Sequence, residues 1–281
     1  MEAGDILGFD NSFDYLTEAE HDCLAAGGYR IHMQCGYTGI ARPLARVPNL
    51  TLVRDKGVMT NVLYISLPQN AQPGTGAYHM EQGLAGIPDD ILASIQMVAV
   101  DVELPGITAA AIRESLEYLK NRGWVNTPGG PARLGIYTSL NAWNNYVVFD
   151  AMNTPTSFTD VWLLNAFWDW AQDRDFERFP YGGWAPWQVI CEQYTGGDIP
   201  ECGQTLDRDV WNLRLFQGEP PQEDDMDTNL RKIQAAGAFF DKASAVIRTT
   251  NPEQVKTLAE QDPQLAAVIY YLLTGKAFGT D

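Results

Sequence analysis

The chain has 281 residues, of which 45% are hydrophobic and 20% charged, and its formal net charge is −17 at pH 7. This size predicts either one large folded domain with an appendage or two domains. The negative charge argues against nucleic acid or an anionic membrane as a partner, no apolar run is long enough to span a bilayer, and no signal peptide is visible.

Short apolar runs alternate with amphipathic segments along most of the chain. Strands are predicted at residues 7–10, 29–35, 60–67, 97–104, 133–137, 161–167, 187–194 and 206–213. Helices are predicted at 18–26, 77–82, 89–95 and 109–122, the first behind a capping box of Thr17 and Glu20 and the last behind Thr108. Mainly parallel strands of this number predict an α/β fold, an irregular TIM-like (β/α) barrel with chemistry at the C-terminal ends of its strands.

The C-terminal fifth of the chain differs in composition from the barrel segment. Residues 1–217 are assigned to the barrel, 218–225 to an acidic linker that contains proline, and 226–281 to a helical C-terminal appendage. The appendage carries an apolar stripe that it cannot bury alone, so we expect it to dock or to self-associate.

The strand at residues 97–104 is the stretch most informative about chemistry. Alternation puts Asp101 and Glu103 on one face, with their β-carbons roughly 6–7 Å apart. Two like charges so close raise one pKa and leave one acid and one carboxylate at neutral pH, as glycoside hydrolysis requires. Taken alone, Asp-x-Glu also fits a solvated strand end or a pair of metal ligands.

Aromatic side chains offer flat apolar faces for sugar rings, together with N–H or O–H groups for their hydroxyls. The candidates for substrate binding are those near predicted strand ends, Tyr64, Tyr137, Trp187 and Tyr194. Three further tryptophans are assigned to the core, Trp162, Trp168 and Trp170.

Four cysteines occur, Cys23, Cys35, Cys191 and Cys202, and none forms a CxxC pair, so no zinc site is expected. They can be free buried thiols or form one or two disulfides. A bridge between Cys191 and Cys202 is one hypothesis, because glycines and a proline in a predicted loop between them suit a turn. Such a bridge would indicate an oxidising compartment.

Several segments, taken in order, resemble glycoside hydrolase family 25, the lysozyme-like muramidases of bacteria, phages and fungi. The segments are residues 8–12, 100–103, 134–138 with Trp143, 161–166, 187–195 and 205–211, and the resemblance spans about residues 6–213. It implies an irregular barrel that hydrolyses the β-1,4 bond between N-acetylmuramic acid and N-acetylglucosamine. It also implies retention of configuration with help from the N-acetyl group of the substrate.

The resemblance assigns roles to individual residues. Glu103 matches the general acid, and Asp101, Asp10 and Asp207 match the other catalytic carboxylates; Asp207 is preferred to Asp209, which is assigned to substrate binding. The implied partner is the glycan strand of peptidoglycan, with no cofactor and no metal, and the implied place of action is outside the cell or at the cell wall.

Two other functions are compatible with the residues. A barrel that keeps its acids for glycan recognition or assembly, without turnover, fits the acidic charge and the unassigned appendage. A divalent-metal phosphodiesterase would also use clustered acids, but such enzymes usually add histidine ligands, and the three histidines here are scattered.

Overall fold

The computed structural model describes residues 4–174, 176 and 180–218. The strands are β1 (Asp5–Asn11), β2 (Tyr29–Tyr37), β3 (Thr60–Ser66), β4 (Ile95–Asp101), β5 (Ile107–Thr108), β6 (Leu134–Thr138), β7 (Val147–Val148), β8 (Trp162–Ala166), β9 (Val189–Glu201) and β10 (Gln204–Asn212). The helices are α1 (Glu18–Ala26), α2 (Arg46–Lys56), α3 (Gly76–Leu84), α4 (Asp89–Ser94), α5 (Ala109–Asn121), α6 (Leu140–Asn145) and α7 (Leu213–Gln217).

Eight of these strands close into a barrel in the order β1-β10-β9-β8-β6-β4-β3-β2, and β5 pairs with β7 in a separate small sheet. All neighbouring barrel strands are parallel except β10, which is antiparallel to both β9 and β1. The predicted α/β barrel is confirmed, and the antiparallel strand makes it irregular.

Local sequence signals set the first and longest helices. The Thr17 hydroxyl accepts a hydrogen bond from the Glu20 backbone N–H while the Glu20 carboxylate accepts from the Thr17 N–H, so α1 begins with the predicted capping box. The Thr108 hydroxyl caps α5 by accepting a hydrogen bond from the Ala111 N–H.

Alternation along the strands divides the core into two layers. One layer fills the barrel interior, and the other lies between the strands and the surrounding helices. The interior layer includes Met33, Val62, Met97, Ala99, Leu164 and Trp211. The outer layer includes Val98, Val100, Ile112, Leu116 and Ile136.

Two of the predicted boundaries were wrong by several residues, one beside Glu103 and one in the last hairpin. β4 ends at Asp101, because Pro105 and Gly106 turn the chain away, so Glu103 lies in the following loop. The strand predicted to end at residue 194 continues to Glu201 as β9, so the residues predicted as a loop before Cys202 form a long hairpin with β10. Register shifts in this hairpin accommodate the irregular sequence around its glycines.

The disulfide pairing also differs from the hypothesis. Cys202, in the β9–β10 turn, is bonded to Cys23 of α1, while Cys35 and Cys191 are buried free thiols. Cys191 lies in the barrel interior opposite Trp211, at the far end of the hairpin from the turn that holds Cys202. The bridge therefore ties the last hairpin of the barrel to its first helix.

The linker and the helical appendage predicted at 218–225 and 226–281 lie outside the described residues, apart from Gly218, so the domain boundaries and self-association stay predictions. In the part of the chain that is described, no helix combines the length and apolar character needed to cross a bilayer.

Candidate active site

Three aspartates project into the barrel from its first and last strands. Asp10 of β1 lies directly opposite Asp207 of β10, and Asp209 lies opposite Gly8. Because β10 is antiparallel, its first half lies at the same end of the barrel as the C-terminal ends of the parallel strands. Asp207 therefore meets the acid at the end of β1, although it comes early in its own strand, and Asp209 lies one step deeper in the barrel.

Asp101 adds a fourth carboxylate, from the last residue of β4. It is buried, and the Ser66 hydroxyl at the end of β3 donates a hydrogen bond to it. Burial raises the pKa of Asp101 to about 6, and the Ser66 hydrogen bond limits that rise.

Glu103 follows in the loop after β4 and is only partly buried, unlike Asp101. Burial raises its pKa to about 8, with further contributions from the negative charges of Asp101 and Asp207. Glu103 therefore holds its proton at neutral pH while remaining accessible from the barrel mouth, as a general acid must.

Asp10 and Asp209 are buried deeper than Glu103. Burial raises the pKa of Asp10 well above its usual value, and the charges of Asp209 and Asp207 raise it further. Burial and the charge of Asp207 have the same effect on Asp209. The acids thus form one electrostatic cluster in which each carboxylate makes its neighbours harder to ionise.

Two of the predicted sugar-binding aromatics lie beside this cluster, but they are buried. The Tyr64 and Tyr137 rings are 6.2 Å apart in the barrel interior, and the Tyr137 hydroxyl donates to the Gln193 side-chain oxygen at 2.7 Å. Burial is the largest cause of the raised pKa of each tyrosine, so both hydroxyls stay neutral hydrogen-bond groups in the floor of the site.

The other two predicted aromatics do not project into the acidic cluster. Trp187 precedes β9 and contacts Trp162 at the end of the barrel where the parallel strands begin, opposite the acidic end. Tyr194 follows the inward-facing Gln193 and so points to the outer face of β9, near Arg208. The Trp187 ring therefore does not reach the carboxylates, whereas burial and then the charge of Asp209 raise the pKa of Tyr194.

Three residues of the site carried no functional assignment from sequence. Ser66 contacts Asp101, Gln193 contacts Tyr137, and Trp168 donates its indole N–H to Gln193 at 2.7 Å. Gln193 lies inside a segment that resembles family 25, and this was the one feature of the sequence that could have indicated its place in the site. Trp168 and Trp170 were predicted to be core and are instead 59% and 65% exposed.

A second acidic group lies on the opposite face of β9. Asp169, Asp173 and Glu192 are close enough to share a cation. Glu192 precedes the inward-facing Gln193, so its side chain points outward, where Asn165 donates to it at 3.4 Å. This group is therefore separate from the acids inside the barrel mouth.

Comparison with solved structures identifies the fold. A bacterial lysozyme from Streptomyces coelicolor matches with a TM-score of 0.56 at 14% identity, covering 76% of this chain and 98% of its own. A family 25 glycosyl hydrolase from Bacillus anthracis matches with a TM-score of 0.53 at 14% identity, covering 81% and 94%. A family GH25 lysozyme from Aspergillus fumigatus gives 0.51 at 15% identity, covering 74% and 94%.

The fold is that of the family 25 lysozymes. No family model and no curated protein matches the sequence, so the likeness lies in structure. The family 25 fold accounts for about three-quarters of this chain, and nearly the whole length of each of these three proteins is covered. The predicted barrel of this family is thereby confirmed as a fold.

Proposed function

We propose that this protein is a peptidoglycan hydrolase of the muramidase type, which cleaves the β-1,4 bond between N-acetylmuramic acid and N-acetylglucosamine. The observation that carries the proposal is Glu103, an accessible carboxyl at the barrel mouth whose pKa is raised to about 8. The family 25 fold supports the same assignment, because the carboxylates match that family's pattern in order along the chain.

In the first step, Glu103 donates its proton to the glycosidic oxygen as the bond from that oxygen to the anomeric carbon breaks. We propose that the carbonyl oxygen of the substrate's own N-acetyl group attacks the anomeric carbon from the opposite side. The positive charge that develops is stabilised by nearby carboxylates, and the leaving sugar departs with a neutral hydroxyl.

In the second step, ionised Glu103 takes a proton from water, which opens the cyclic intermediate and returns the N-acetyl group. The configuration at the anomeric carbon is retained, and Glu103 regains its proton. Glu103 can serve as acid and then as base because its pKa lies close to neutral pH.

Asp101 is the carboxylate best suited to hold the N-acetyl amide. The hydrogen bond from Ser66 favours its ionised form, and its pKa of about 6 makes it an anion at neutral pH. An anion there accepts the amide N–H and increases the nucleophilicity of the amide oxygen. Asp10, Asp207 and Asp209 then form the polar floor, where burial and mutual repulsion raise the pKa of Asp10 and of Asp209.

The place of action follows from the substrate and from the disulfide. Peptidoglycan lies outside the cytoplasmic membrane, and a bond between Cys23 and Cys202 persists in an oxidising compartment. We propose that the protein acts at the cell wall.

The proposal is tested by incubating the purified full chain with purified peptidoglycan and identifying the new reducing ends by reduction and mass spectrometry. Reduced N-acetylmuramic acid is the expected product. Reduced N-acetylglucosamine would indicate a glucosaminidase, and no new reducing ends together with stable binding would indicate a glycan-binding barrel.

A further inference from the structure

A tryptophan at the barrel mouth is not surrounded by other side chains as a core residue would be. Trp168 follows β8 and is 59% exposed, yet its indole N–H donates to the Gln193 side-chain oxygen at 2.7 Å. Gln193 itself is 1% exposed. A large exposed ring is thus fixed by a buried polar group.

The buried amide of Gln193 links this ring to the acids. Its oxygen also accepts from the Tyr137 hydroxyl at 2.7 Å, and its nitrogen donates to a carboxylate oxygen of Asp207 at 3.4 Å. Both acceptor positions of the oxygen are therefore used, and the amide orientation is determined by three neighbours. The Trp168 ring consequently lies next to the carboxylate floor at a defined position.

The ring also rests on backbone that only glycine permits. A Cβ placed on Gly196 would lie 2.4–2.7 Å from three atoms of the Trp168 ring system, Cε2, Cζ2 and Cδ2. Those atoms belong to the fused part of the indole, so one face of the ring covers Gly196 of β9. Since the side chain is still mostly exposed, the opposite face is open to solvent.

We infer that Trp168 is a sugar-stacking platform of the cleft, held in place by Gln193 and Gly196. The inference rests on the proposed function and specifies how its substrate is bound. The open face of the indole matches the apolar face of a pyranose ring, and stacking needs no positive charge. That matters because N-acetylmuramic acid carries a carboxylate, which the acidic cluster cannot attract.

The test measures binding without turnover, using Glu103→Gln protein and a tetrasaccharide of alternating N-acetylglucosamine and N-acetylmuramic acid. Calorimetric titration of this parent should give saturable binding. Adding Trp168→Ala should weaken binding about tenfold or more, whereas Trp168→Phe, which keeps a ring, should lose less.

Two further variants separate stacking from general damage to the loop. Gly196→Ala keeps the indole but displaces it, so it should also weaken binding. Trp170→Ala removes a ring of similar exposure, 65%, from the same loop and should change affinity less than twofold. Cooperative melting of each variant checks that it is folded.

Unchanged affinity in Trp168→Ala, with hydrolysis by the wild-type chain intact, would overturn the platform and leave the proposed function standing. Equal losses of affinity in Trp168→Ala and Trp170→Ala would also overturn the platform, because the weaker binding would then come from the loop as a whole. Absence of both hydrolysis by the wild-type chain and binding by the parent would overturn the proposed function and the platform together.

Discussion

Asp10 and Asp207 lie directly opposite each other on the neighbouring antiparallel strands β1 and β10. The first and last strands of the barrel therefore bring two carboxylates together at its mouth, beside Asp101 and Glu103. Carboxylates collected in this way repel one another when ionised and lose hydration, so the arrangement opposes folding at neutral pH.

Replacing Asp10 with asparagine should therefore stabilise the protein at neutral pH. Burial and the neighbouring acids raise the pKa of Asp10 in the folded state above its unfolded value. The folded state then binds protons more tightly, so stability falls as pH rises above the unfolded pKa, and removal of the carboxyl abolishes that loss. We expect a gain of about 1 kcal/mol or more at pH 7.5 and a smaller gain at pH 4.5.

The measurement is urea denaturation of wild type and Asp10→Asn at both pH values. Asp150→Asn is the matched control, because hydrogen bonds from the Asn153 backbone lower the pKa of this exposed carboxyl. It should show no gain. A loss of stability in Asp10→Asn at pH 7.5 would show that the buried aspartate is held by favourable interactions.

The pH profile of hydrolysis should be bell-shaped. The proposed mechanism uses protonated Glu103 and ionised Asp101, whose pKa values are about 8 and about 6. The values of kcat/KM should therefore fall above about pH 8 and below about pH 6, with both limbs belonging to the coupled pair.

Ser66→Ala identifies the acidic limb. Loss of the hydrogen bond from Ser66 removes an interaction that favours the Asp101 anion, so this limb should move to higher pH. A profile with unmoved limbs in Ser66→Ala would mean that Asp101 does not control the acidic limb.

Much of this site could be predicted from local sequence, because the required signals lie within a few residues. Asp101 and Glu103 follow an apolar strand and precede a proline-glycine break, and Asp10 ends the first strand. Strand ends of one direction meet at one end of a barrel, so their proximity follows from the fold.

The residues that were misplaced depend on information that local sequence lacks. Tyr194 is directed outward by the alternation of β9, and Trp187 stands at the wrong end of the same strand. Trp168 was predicted to be core. Its actual exposure depends on how the segment after β8 lies against β9, which local sequence does not show. In each case the residue type suited the predicted role. The face or the end of the element on which the residue lies then determined where its side chain is placed.

The disulfide shows the same limit over a longer distance. Cys23 and Cys202 are 179 residues apart in sequence and meet only because β10 returns to β1 and α1. Thiol counting of denatured, unreduced protein should give two free thiols, Cys35 and Cys191. Four free thiols would exclude the bridge.

Loss of this bridge should destabilise the barrel by about 2–4 kcal/mol, because the unfolded chain gains a long unconstrained loop. Denaturation of the wild type with and without reductant measures the effect. The double variant Cys23→Ser with Cys202→Ser should behave like the reduced wild type and should not respond to reductant. A wild type equally stable when reduced would contradict a stabilising role.

The most direct test of the central claim is the rate at which Glu103→Gln releases reducing ends from purified peptidoglycan. Glutamine preserves the shape of the side chain and cannot donate a proton to the glycosidic oxygen, so the rate should fall by a factor of about 10² or more. Glu117→Gln, a matched change at an exposed acid of α5 that pairs with Lys120, should retain the wild-type rate. A folded Glu103→Gln protein that keeps most of the wild-type rate would contradict the assignment of Glu103 as the general acid.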